Sequence, residues 1–377
     1  MRGHFVDIRE HIREGIKKSA PASVLVAMSG GVDSSVAALL LTKAGFAATG
    51  LTMKNYCYGD ADVPERGCCS VEAVHDARRE CDRLGIPHVV ADTEELFTRE
   101  VIGNFLSEYR NARTPNPCVR CNTIVRFRTL LDYAVKLGID YVATGHYARV
   151  FEREDGSRFV VRAVNREKDQ SYFLSGVRGE ILDRVLFPIG ELGKDAVRSL
   201  AKNASMAVAE KPESQEVCFV PDGGLKPFLE SRGVRLAPGK IENTRGEPIG
   251  EHAGLGGYTV GQRRHLGVAA GTPQYVVRLD RKRNVLVLGG PDDLLERELA
   301  CTFEWIDPST AKDVDEVTAQ IRYRHAPAPL ARLSLDGAAG RVEFETPQRA
   351  VCPGQTIVLY RGDIVVGSGV IDGPGPL

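Results

Sequence analysis

The apolar positions in the first part of the chain alternate between short continuous runs and longer runs with helical spacing. Ser23–Ala27 is a short β-branched apolar run, which predicts a buried strand of a parallel sheet. Residues 36–43 are apolar almost all round and are followed by Gly45, which predicts a buried helix with a glycine stop. By the same criteria we predict strands at 47–53, 87–92 and 141–144, and helices at 70–84, 93–109 and 123–137. Strands that alternate with helices predict a parallel sheet with right-handed crossovers.

The rest of the chain has shorter periodic segments. We predict, in order, a strand, a short helix and a loop that carries Cys218, at 158–164, 193–204 and 211–221. The glycine-rich stretch from 222 to about 290 predicts a small separate module. From Glu296 onward, short alternating runs separated by turns predict a small antiparallel β-barrel, with strands at 318–325, 331–335, 341–345, 356–360 and 363–371.

Composition and charge limit the class of protein. The chain has 377 residues, enough for the three domains that these changes of pattern predict, at 1–219, 220–295 and 296–377. Its 43% hydrophobic and 26% charged residues are typical of a soluble globular protein. Because the net charge is −1, any surface for nucleic acid must be a local basic patch.

The sequence gives no sign of export or of membrane insertion. No stretch has the length of a membrane span, and residues 1–18 are charged and helical in pattern without the apolar core of a signal peptide. We therefore expect a cytoplasmic protein with no membrane partner. Its nine cysteines are then expected to be thiols, redox groups or metal ligands and not a structural disulfide framework.

A polar, glycine-containing segment at 28–35, Met-Ser-Gly-Gly-Val-Asp-Ser-Ser, joins the first predicted strand to the first predicted helix, and we call it the glycine loop. Its two glycines allow a tight bend and a close approach of backbone N–H groups to a ligand. Serine hydroxyls and the positive end of the helix add to a site that suits phosphate. A ligand-free glycine turn needs fewer polar groups than these. The segment lacks the lysine of a Walker loop and the Gly-x-Gly-x-x-Gly pattern of a dinucleotide fold.

A second chemical motif is the Cys-x-x-Cys pair formed by Cys118 and Cys121. The preceding prolines, at 115 and 117, predict an extended loop that leads into a helix. Thiols at a helix N-terminus, flanked by Arg120 and Arg126, are expected to have lowered pKa values and to be nucleophilic. Taken alone, the pair is compatible with a redox pair, with half of a metal site, or with neither.

The glycine loop resembles the pyrophosphate loop of the ATP pyrophosphatases, which grip the β and γ phosphates of ATP and release them after adenylating a substrate oxygen. Together with the cysteine pair and Cys218, it carries a closer resemblance, over essentially the full chain, to the tRNA-specific 2-thiouridylases. The matching segments are 29–35, 53–54, 116–122, 144–147, 168–173, the Cys218 loop, 258–263 and 321–323. The resemblance implies an α/β fold: a parallel-sheet ATP-pyrophosphatase domain of the adenine nucleotide alpha hydrolase type, a small central module, and a C-terminal antiparallel β-barrel that contacts tRNA.

The resemblance also implies a reaction. ATP, with Mg²⁺, adenylates the C2 oxygen of the wobble uridine in the tRNAs for Lys, Glu and Gln. Cys218 carries a persulfide that a cysteine desulfurase or a sulfur relay protein supplies. Cys121 is the catalytic nucleophile, which attacks the persulfide or resolves it through a transient Cys121–Cys218 disulfide. Adenylation turns the oxygen of a poorly electrophilic, amide-like carbonyl into a leaving group, and a second thiol then detaches the sulfur.

The same resemblance assigns binding residues for both substrates. For the nucleotide they are Ala27, Met28, Ser29, Gly30, Gly31, Val32, Asp33, Ser34, Met53 and Gly145. For tRNA and its target base they are Asn116, Pro117, Cys118, His146, Lys168, Asp169, Gln170, Arg322, Tyr323 and Gln355. Arginine and tyrosine side chains suit this task because they bind phosphates and stack on bases. The basic run at 281–283 is instead expected to be a hairpin turn.

One residue departs from the family pattern. Cys118 stands where the family commonly has an acid with a proton-transfer role, and a thiol, with an ordinary pKa of about 8.5, substitutes poorly for a carboxylate. Cys118, Cys121 and Cys218 instead offer three thiolates, which suits a [4Fe–4S] cluster with one open iron that binds hydrosulfide, as in related thiolases of the superfamily. We favour the persulfide route and keep the cluster as its alternative.

Two other functions are compatible with the sequence: an amide-forming ligase of the pyrophosphate-loop group, such as argininosuccinate synthetase, and a nucleotide-regulated RNA-binding protein. The cysteine pair and the barrel argue against the ligase, and an RNA-binding protein would not depend on its cysteines. Four of the remaining cysteines, Cys57, Cys68, Cys69 and Cys81, are expected to be buried or incidental thiols, since their spacings fit no common zinc pattern. Cys301 and Cys352 are expected to be core residues of the barrel.

Overall fold

The structure, a computed structural model, describes residues 2–6, 21–55, 71–212, 217–221, 224–268, 271–310 and 312–375. The chain divides into two compact units. The first consists of Met1–Val101, Cys118–Pro221 and Asp363–Val365, and the second of Ile102–Pro117, Asp222–Gly362 and Val366–Leu377. The domain boundaries expected near residues 219 and 295 stay predictions. The helical pattern at the N-terminus and Cys57, Cys68 and Cys69 lie outside the described residues.

A five-stranded parallel sheet forms the centre of the first unit. Its strands, in sheet order, are His88–Asp92, Ala47–Lys54, Ser23–Ala27, Tyr141–Thr144 and Val185–Leu186. Val24, Leu25 and Val26 of the middle strand are fully buried, as expected for a strand covered on both faces. The predicted parallel sheet is therefore confirmed.

The helix that follows the middle strand, Val32–Lys43, contacts other elements on more than one side. Ala38 and Leu41 belong to the same apolar cluster as the sheet residues. Val36 lies in a second cluster, together with residues of the helix Lys194–Asn203. Because both sides are covered, the helix needs an apolar sequence almost all round.

Further helices and a small antiparallel sheet complete the first unit. The helices, with the two π-helical turns and one 3-10 turn that adjoin them, are Val71–Leu84, Glu94–Phe97, Thr98–Ile102, Pro117–Arg120, Cys121–Arg126, Phe127–Leu137, Ser171–Leu174, Glu180–Arg184 and Lys194–Asn203. The antiparallel strands are Gly3–Phe5, Ala148–Arg153 and Arg158–Arg162. The run predicted as one helix at 93–109 is helical over 94–110, with a π-helical turn inside it.

The structure corrects the prediction around the cysteine pair. The helix expected at 123–137 begins at Pro117, because a proline fits the first helical position, where the missing N–H group is not needed. Cys118 therefore lies within the first helical turn, and Cys121 begins the π-helical turn that follows. The expectation that both cysteines precede the helix was wrong.

The second unit contains a small sheet and a barrel. The sheet has the strand order Pro248–His252, Gly239–Asn243, Val285–Gly289 and Tyr275–Asp280. Its last two strands are joined by a turn at 281–284, as predicted for the basic run there. The helices of this unit, with two 3-10 turns, are Gly103–Arg110, Leu225–Ser231, Leu255–Gly257 and Asp292–Leu294.

The C-terminal part of the second unit is a closed antiparallel barrel of six strands. In order they are Ile364–Pro374, Leu295–Ile306, Ala339–Arg349, Ala328–Asp336, Val317–Gln320 and Thr356–Arg361, and the last pairs with the first. The predicted barrel is confirmed, although the sequence reading did not identify the long strand Leu295–Ile306. Within the described part of the chain, no helix has the length and hydrophobicity to span a bilayer.

Candidate functional site

The two glycines of the glycine loop have different roles. Gly30 adopts φ +67°, and a Cβ atom there would lie 2.3 Å from the carbonyl oxygen of Ala73, so only glycine fits. Gly31 has an extended conformation, and the nearest atom to a Cβ there would be Ser29 Oγ at 3.5 Å. The fold therefore demands the first glycine, whereas the second leaves space in front of the helix N-terminus.

Serine hydroxyls hold the glycine loop in shape. Ser34 Oγ accepts a hydrogen bond from the Ser29 N–H at 3.2 Å and donates to the Gly31 carbonyl at 3.1 Å. Ser35 Oγ donates to the same carbonyl at 3.0 Å. Since Gly31 caps the helix without a side chain, the helix N-terminus is left to backbone groups and keeps its partial positive charge. This arrangement suits an anion.

Asp33 of the glycine loop is bound by Lys194 and Tyr147, neither of which was predicted as a site residue, although Tyr147 lies in the matching segment 144–147. Lys194 Nζ lies 2.8 Å and 2.9 Å from the two carboxylate oxygens, and the Tyr147 hydroxyl donates to one of them at 2.8 Å. Lys194 is only 9% exposed. The ammonium group offsets the negative charge of Asp33 beside a site that suits phosphate. Nothing in the sequence around Lys194, at the start of a short helix, indicates that it pairs with Asp33.

Two further predicted nucleotide residues lie at the same edge of the sheet. A Cβ atom on Gly145 would lie 2.5 Å from the Ser34 nitrogen, so the chain after the strand Tyr141–Thr144 touches the start of the loop helix. Met53 is buried near the carboxyl end of the strand on the other side of the middle strand. Ligands of parallel sheets bind at this edge.

His146 connects the strand end to the helix that carries the cysteine pair. Its Nδ1 lies 2.8 Å from Thr144 Oγ1, and its Nε2 lies 3.1 Å from Arg126 Nη1. Arg126 donates to Asn122 Oδ1 at 2.6 Å, and Asn122 directly follows Cys121. Burial, and secondly the charge of Arg126, lower the pKa of His146 well below its usual range, so the imidazole is neutral at pH 7.

The three candidate thiols differ in exposure. Cys118 is exposed, whereas Cys121 and Cys218 are half-buried. Arg120, which precedes Cys121, donates from Nη2 to Glu100 Oε2 at 3.0 Å. Phe219, which follows Cys218, packs edge-on against Phe97 with ring centroids 5.8 Å apart. Arg120 and Phe219, the neighbours of Cys121 and Cys218, thus contact the same helical segment, residues 94–102.

Residues 168–170, assigned to tRNA by resemblance, make contacts that hold the local backbone. Asp169 Oδ1 accepts from the N–H groups of Ala163 and Ser171, at 2.9 Å and 3.2 Å. Gln170 Oε1 accepts from the Tyr147 N–H at 2.9 Å. Because Tyr147 also binds Asp33, this segment belongs to the surroundings of the glycine loop; Lys168, like Gln170, is half-buried there.

The residues assigned to tRNA in the second unit also have partners within it. Gln355 Nε2 donates to the carbonyls of Thr114 and Pro115, at 2.9 Å and 3.2 Å, just ahead of Asn116 and Pro117. Arg322 Nη2 donates to the Val260 carbonyl at 2.6 Å. The Tyr323 carbonyl accepts from the side chain of Gln320 at 2.7 Å. Gln355 therefore shapes the segment that enters the cysteine pair.

The resemblance implies two metal groups, Mg²⁺ and, as the alternative, a [4Fe–4S] cluster. Among the described residues, no group of three or more His, Cys, Asp or Glu side chains is arranged to hold a metal ion. Cys118, Cys121 and Cys218 are all described, so they do not fit a cluster in this conformation. Mg²⁺ fits better, because it usually takes one or two carboxylates and completes its shell with substrate phosphates and water. Asp33 offers such a carboxylate in the glycine loop.

Comparisons with known proteins cover most of the chain. A model of tRNA methyl transferase HUP domains matches residues 22–222, one of tRNA methyl transferase PRC-barrel domains matches 226–290, and one of aminomethyltransferase β-barrel domains matches 298–371. A tRNA-specific 2-thiouridylase of Carboxydothermus hydrogenoformans is 45% identical, over 93% of this chain and 97% of its own. Enzymes of the same name from Heliobacterium modesticaldum and Geobacter metallireducens are 46% and 45% identical, over 93% and 94% of this chain and 92% and 98% of their own.

Proposed function

Because the chain belongs to the tRNA-specific 2-thiouridylases, we propose that it catalyses the ATP-dependent 2-thiolation of the wobble uridine in the tRNAs for Lys, Glu and Gln. The observation that carries the proposal is the match of 45% identity over 93% of the chain to enzymes of that name. The amide-forming ligase and the RNA-binding protein find no support in these matches. A cytoplasmic location follows from the tRNA substrate.

The first step is the activation of the uridine. The glycine loop binds the β and γ phosphates of ATP, the C2 oxygen of the uracil attacks the α phosphorus, and pyrophosphate leaves. The oxygen, now esterified to AMP, becomes a good leaving group. Mg²⁺, held by Asp33 and the phosphates, would offset negative charge on the leaving pyrophosphate. Lys194 and Tyr147 orient the Asp33 carboxylate at the start of this step.

The second step is the transfer of sulfur. A cysteine desulfurase or a sulfur relay protein loads Cys218 with a persulfide, whose terminal sulfur attacks C2 of the adenylated uracil. The Cys121 thiolate attacks the inner sulfur of the persulfide, and a Cys121–Cys218 disulfide forms as AMP leaves. The two thiols lose the two electrons that bring the terminal sulfur to the level of the thiocarbonyl. A small-molecule thiol or a dithiol protein must reduce the disulfide before the next turnover.

The target base must leave the anticodon loop to reach this site. A loop base is already unpaired, so the free energy needed to unstack it is modest. Asn116, Pro117 and Cys118 are proposed to line the base, and Arg322 and Tyr323 to contact the tRNA backbone. A protein of net charge −1 needs such a local patch for RNA.

Removal of either thiol tests the proposal. We expect purified Cys121→Ala and Cys218→Ala variants to form no 2-thiouridine from ATP, tRNA and the persulfide sulfur that a cysteine desulfurase delivers from free cysteine, because each lacks one half of the sulfur exchange. Their affinity for tRNA should be unchanged. Cys301→Ala, in the core of the barrel, is the control and should retain thiolation. Mass spectrometry of digested tRNA gives the product, and full thiolation by either variant would refute the assignment.

The cluster version of the same reaction rests on the sequence alone, namely on the cysteine at the position of the family acid, since the described residues include no group arranged to hold a metal. It predicts that Cys118→Ala loses both iron and activity. Iron and acid-labile sulfide are measured after anaerobic purification. A colourless, iron-free and fully active enzyme removes this candidate.

A further inference from the structure

One short helical segment contacts the neighbours of both reactive thiols. We call this segment, Glu94–Phe97 continued by the π-helical turn Thr98–Ile102, the bridging helix. Phe97 is completely buried and Phe219 is 3% exposed, and their rings meet edge-on at 76°. Phe219 is the residue directly after Cys218, so this contact fixes one end of the Cys218 peptide in the core.

Next to Cys121, the contact is a salt bridge between Arg120 and Glu100. Arg120 donates from Nη2 to the Glu100 carboxylate at 3.0 Å and from Nε to the backbone carbonyl of the same residue. Two donors of one guanidinium on one residue fix the orientation of the arginine as well as its distance. The side chains of Glu100 and Arg120 are 26% and 31% exposed, so the pair is partly shielded from water.

Phe97 and Glu100 make these two contacts from one face of the bridging helix. Phe97 and Glu100 are three residues apart, a spacing that places side chains on one face of a helix. Glu100 lies within the π-helical turn, and such turns, which shift the backbone hydrogen bonding by one residue, recur at functional sites. Glu95, Thr98 and Arg99 of the same segment instead line an open cavity of about 920 Å³ that contains none of the candidate site residues.

We propose that Phe97 and Glu100 are positioning residues that set the separation and orientation of Cys121 and Cys218 for sulfur transfer. The inference rests on the proposed function. Attack on a persulfide requires the two sulfur atoms to meet at about 3–3.5 Å with aligned orbitals, which flexible side chains rarely do unaided. The bridging helix holds the residue next to each of the two cysteines.

Adenylation and sulfur transfer should respond differently to the loss of these contacts. The partners described for Asp33 in the nucleotide site are Lys194 and Tyr147. Those described for Phe97 and Glu100 include Phe219 and Arg120, beside the two cysteines. A displacement of about 1 Å in a reacting group can slow a reaction by roughly 10²-fold. We therefore expect the sulfur step alone to slow down.

The experiment is a single turnover of the full-length enzyme, preloaded with persulfide and mixed with ATP and tRNA. Pyrophosphate release reports adenylation, and 2-thiouridine together with the Cys121–Cys218 disulfide, both measured by mass spectrometry, reports sulfur transfer. For Glu100→Gln and Phe97→Leu we expect 2-thiouridine to form about 10-fold more slowly or worse, with pyrophosphate release within about 2-fold of the wild type. Arg120→Lys keeps the positive charge but loses the two-donor geometry of the guanidinium, so its rate of 2-thiouridine formation should be intermediate.

Glu95→Gln is the matched control, because it removes a charge from the same segment at a side chain that is 95% exposed. It should leave both rates unchanged. Equal loss of both rates in Glu100→Gln would mean a merely structural role, and unchanged rates in both variants would overturn the inference outright. Glu100→Gln keeps the test decisive even if Phe97→Leu fails to fold. A wild-type enzyme that releases pyrophosphate without 2-thiouridine would instead refute the proposed function.

Discussion

The thiols of Cys81 and Cys301 lie inside the protein, where burial raises the pKa of each to about 12. Acidic neighbours add to the effect, Asp82 and Glu80 for the first and Asp372 for the second. Cys118, by contrast, is exposed, and Cys121 and Cys218 are half-buried. Residues of one type are thus divided by their surroundings into inert and accessible thiols.

This division is testable by alkylation. A thiol with a pKa of about 12 is almost entirely protonated at pH 8, since the pH is far below the pKa, and the protonated thiol does not react with iodoacetamide. We expect Cys118 in the native enzyme to be alkylated first, and Cys81 and Cys301 only after unfolding. Peptide mass spectrometry over time gives the rates. Labelling of Cys81 as fast as Cys118 in the folded protein would contradict the expectation.

At the scale of elements, the glycine loop shows why a strand, a turn and a helix form one functional unit. The left-handed backbone at Gly30 brings the loop against Ala73 of the helix Val71–Leu84. Serine hydroxyls then close the turn onto the Gly31 carbonyl, and the helix N-terminus faces the space in front of Gly31. The turn is therefore held in shape by hydrogen bonds of the protein itself, and preorganisation of this kind lowers the entropy lost when a ligand binds.

The two glycines give a matched pair of variants. Gly30→Ala should lower the free energy of unfolding by about 2 kcal/mol or more, because the residue must adopt φ +67° and its Cβ would meet a backbone oxygen at 2.3 Å. Gly31→Ala has an ordinary conformation and room for its Cβ, so its stability should change by less than about 1 kcal/mol. Denaturant unfolding without nucleotide measures both. Equal losses would show that the loop is not held as described.

At the scale of the whole molecule, residues far apart in the chain determine how the cysteine pair is presented. Gln355 lies 241 positions from Thr114, whose carbonyl it binds, and Thr114 also donates its N–H group to the Pro353 carbonyl at 2.9 Å. A barrel loop of the second unit thus fixes the chain just before Pro117 begins its helix. The resemblance assigns Gln355 to tRNA, and that assignment stays a prediction beside these contacts within the second unit.

An experiment can separate a structural role of Gln355 from a role in tRNA binding. Gln355→Ala should lower the free energy of unfolding by about 1–3 kcal/mol, because two partly buried carbonyls lose their donor. The affinity for tRNA, measured on the same variant, shows whether the side chain also contacts RNA. Gln348→Ala is the control, since the side-chain hydrogen bonds described for this half-buried residue lie at the surface and go to nearby Thr346. Unfolding curves and a tRNA filter-binding assay measure the two quantities. A loss of affinity for tRNA without a loss of stability would contradict the structural role and support the assignment of Gln355 to RNA binding.

The sequence by itself determined the parallel sheet, the glycine loop, the barrel and the family. These features are local: a strand such as Ser23–Ala27 is identified by its own apolar run, and the loop by adjacent residues. The sequence predicted that the helix of the cysteine pair begins at residue 123, whereas it begins at Pro117. The prediction failed because a proline is compatible both with a loop and with a first helical turn.

Only the tertiary structure decided which residues act together. Asp33 and Lys194 are 161 positions apart, and nothing in either local sequence indicates the other. The same holds for Phe97 with Phe219 and for Glu100 with Arg120, which bring the surroundings of the two thiols to one helix. Hydrophobic periodicity specifies how each segment is buried. Side-chain partners across the fold depend on how those segments pack, and a linear pattern does not contain that information.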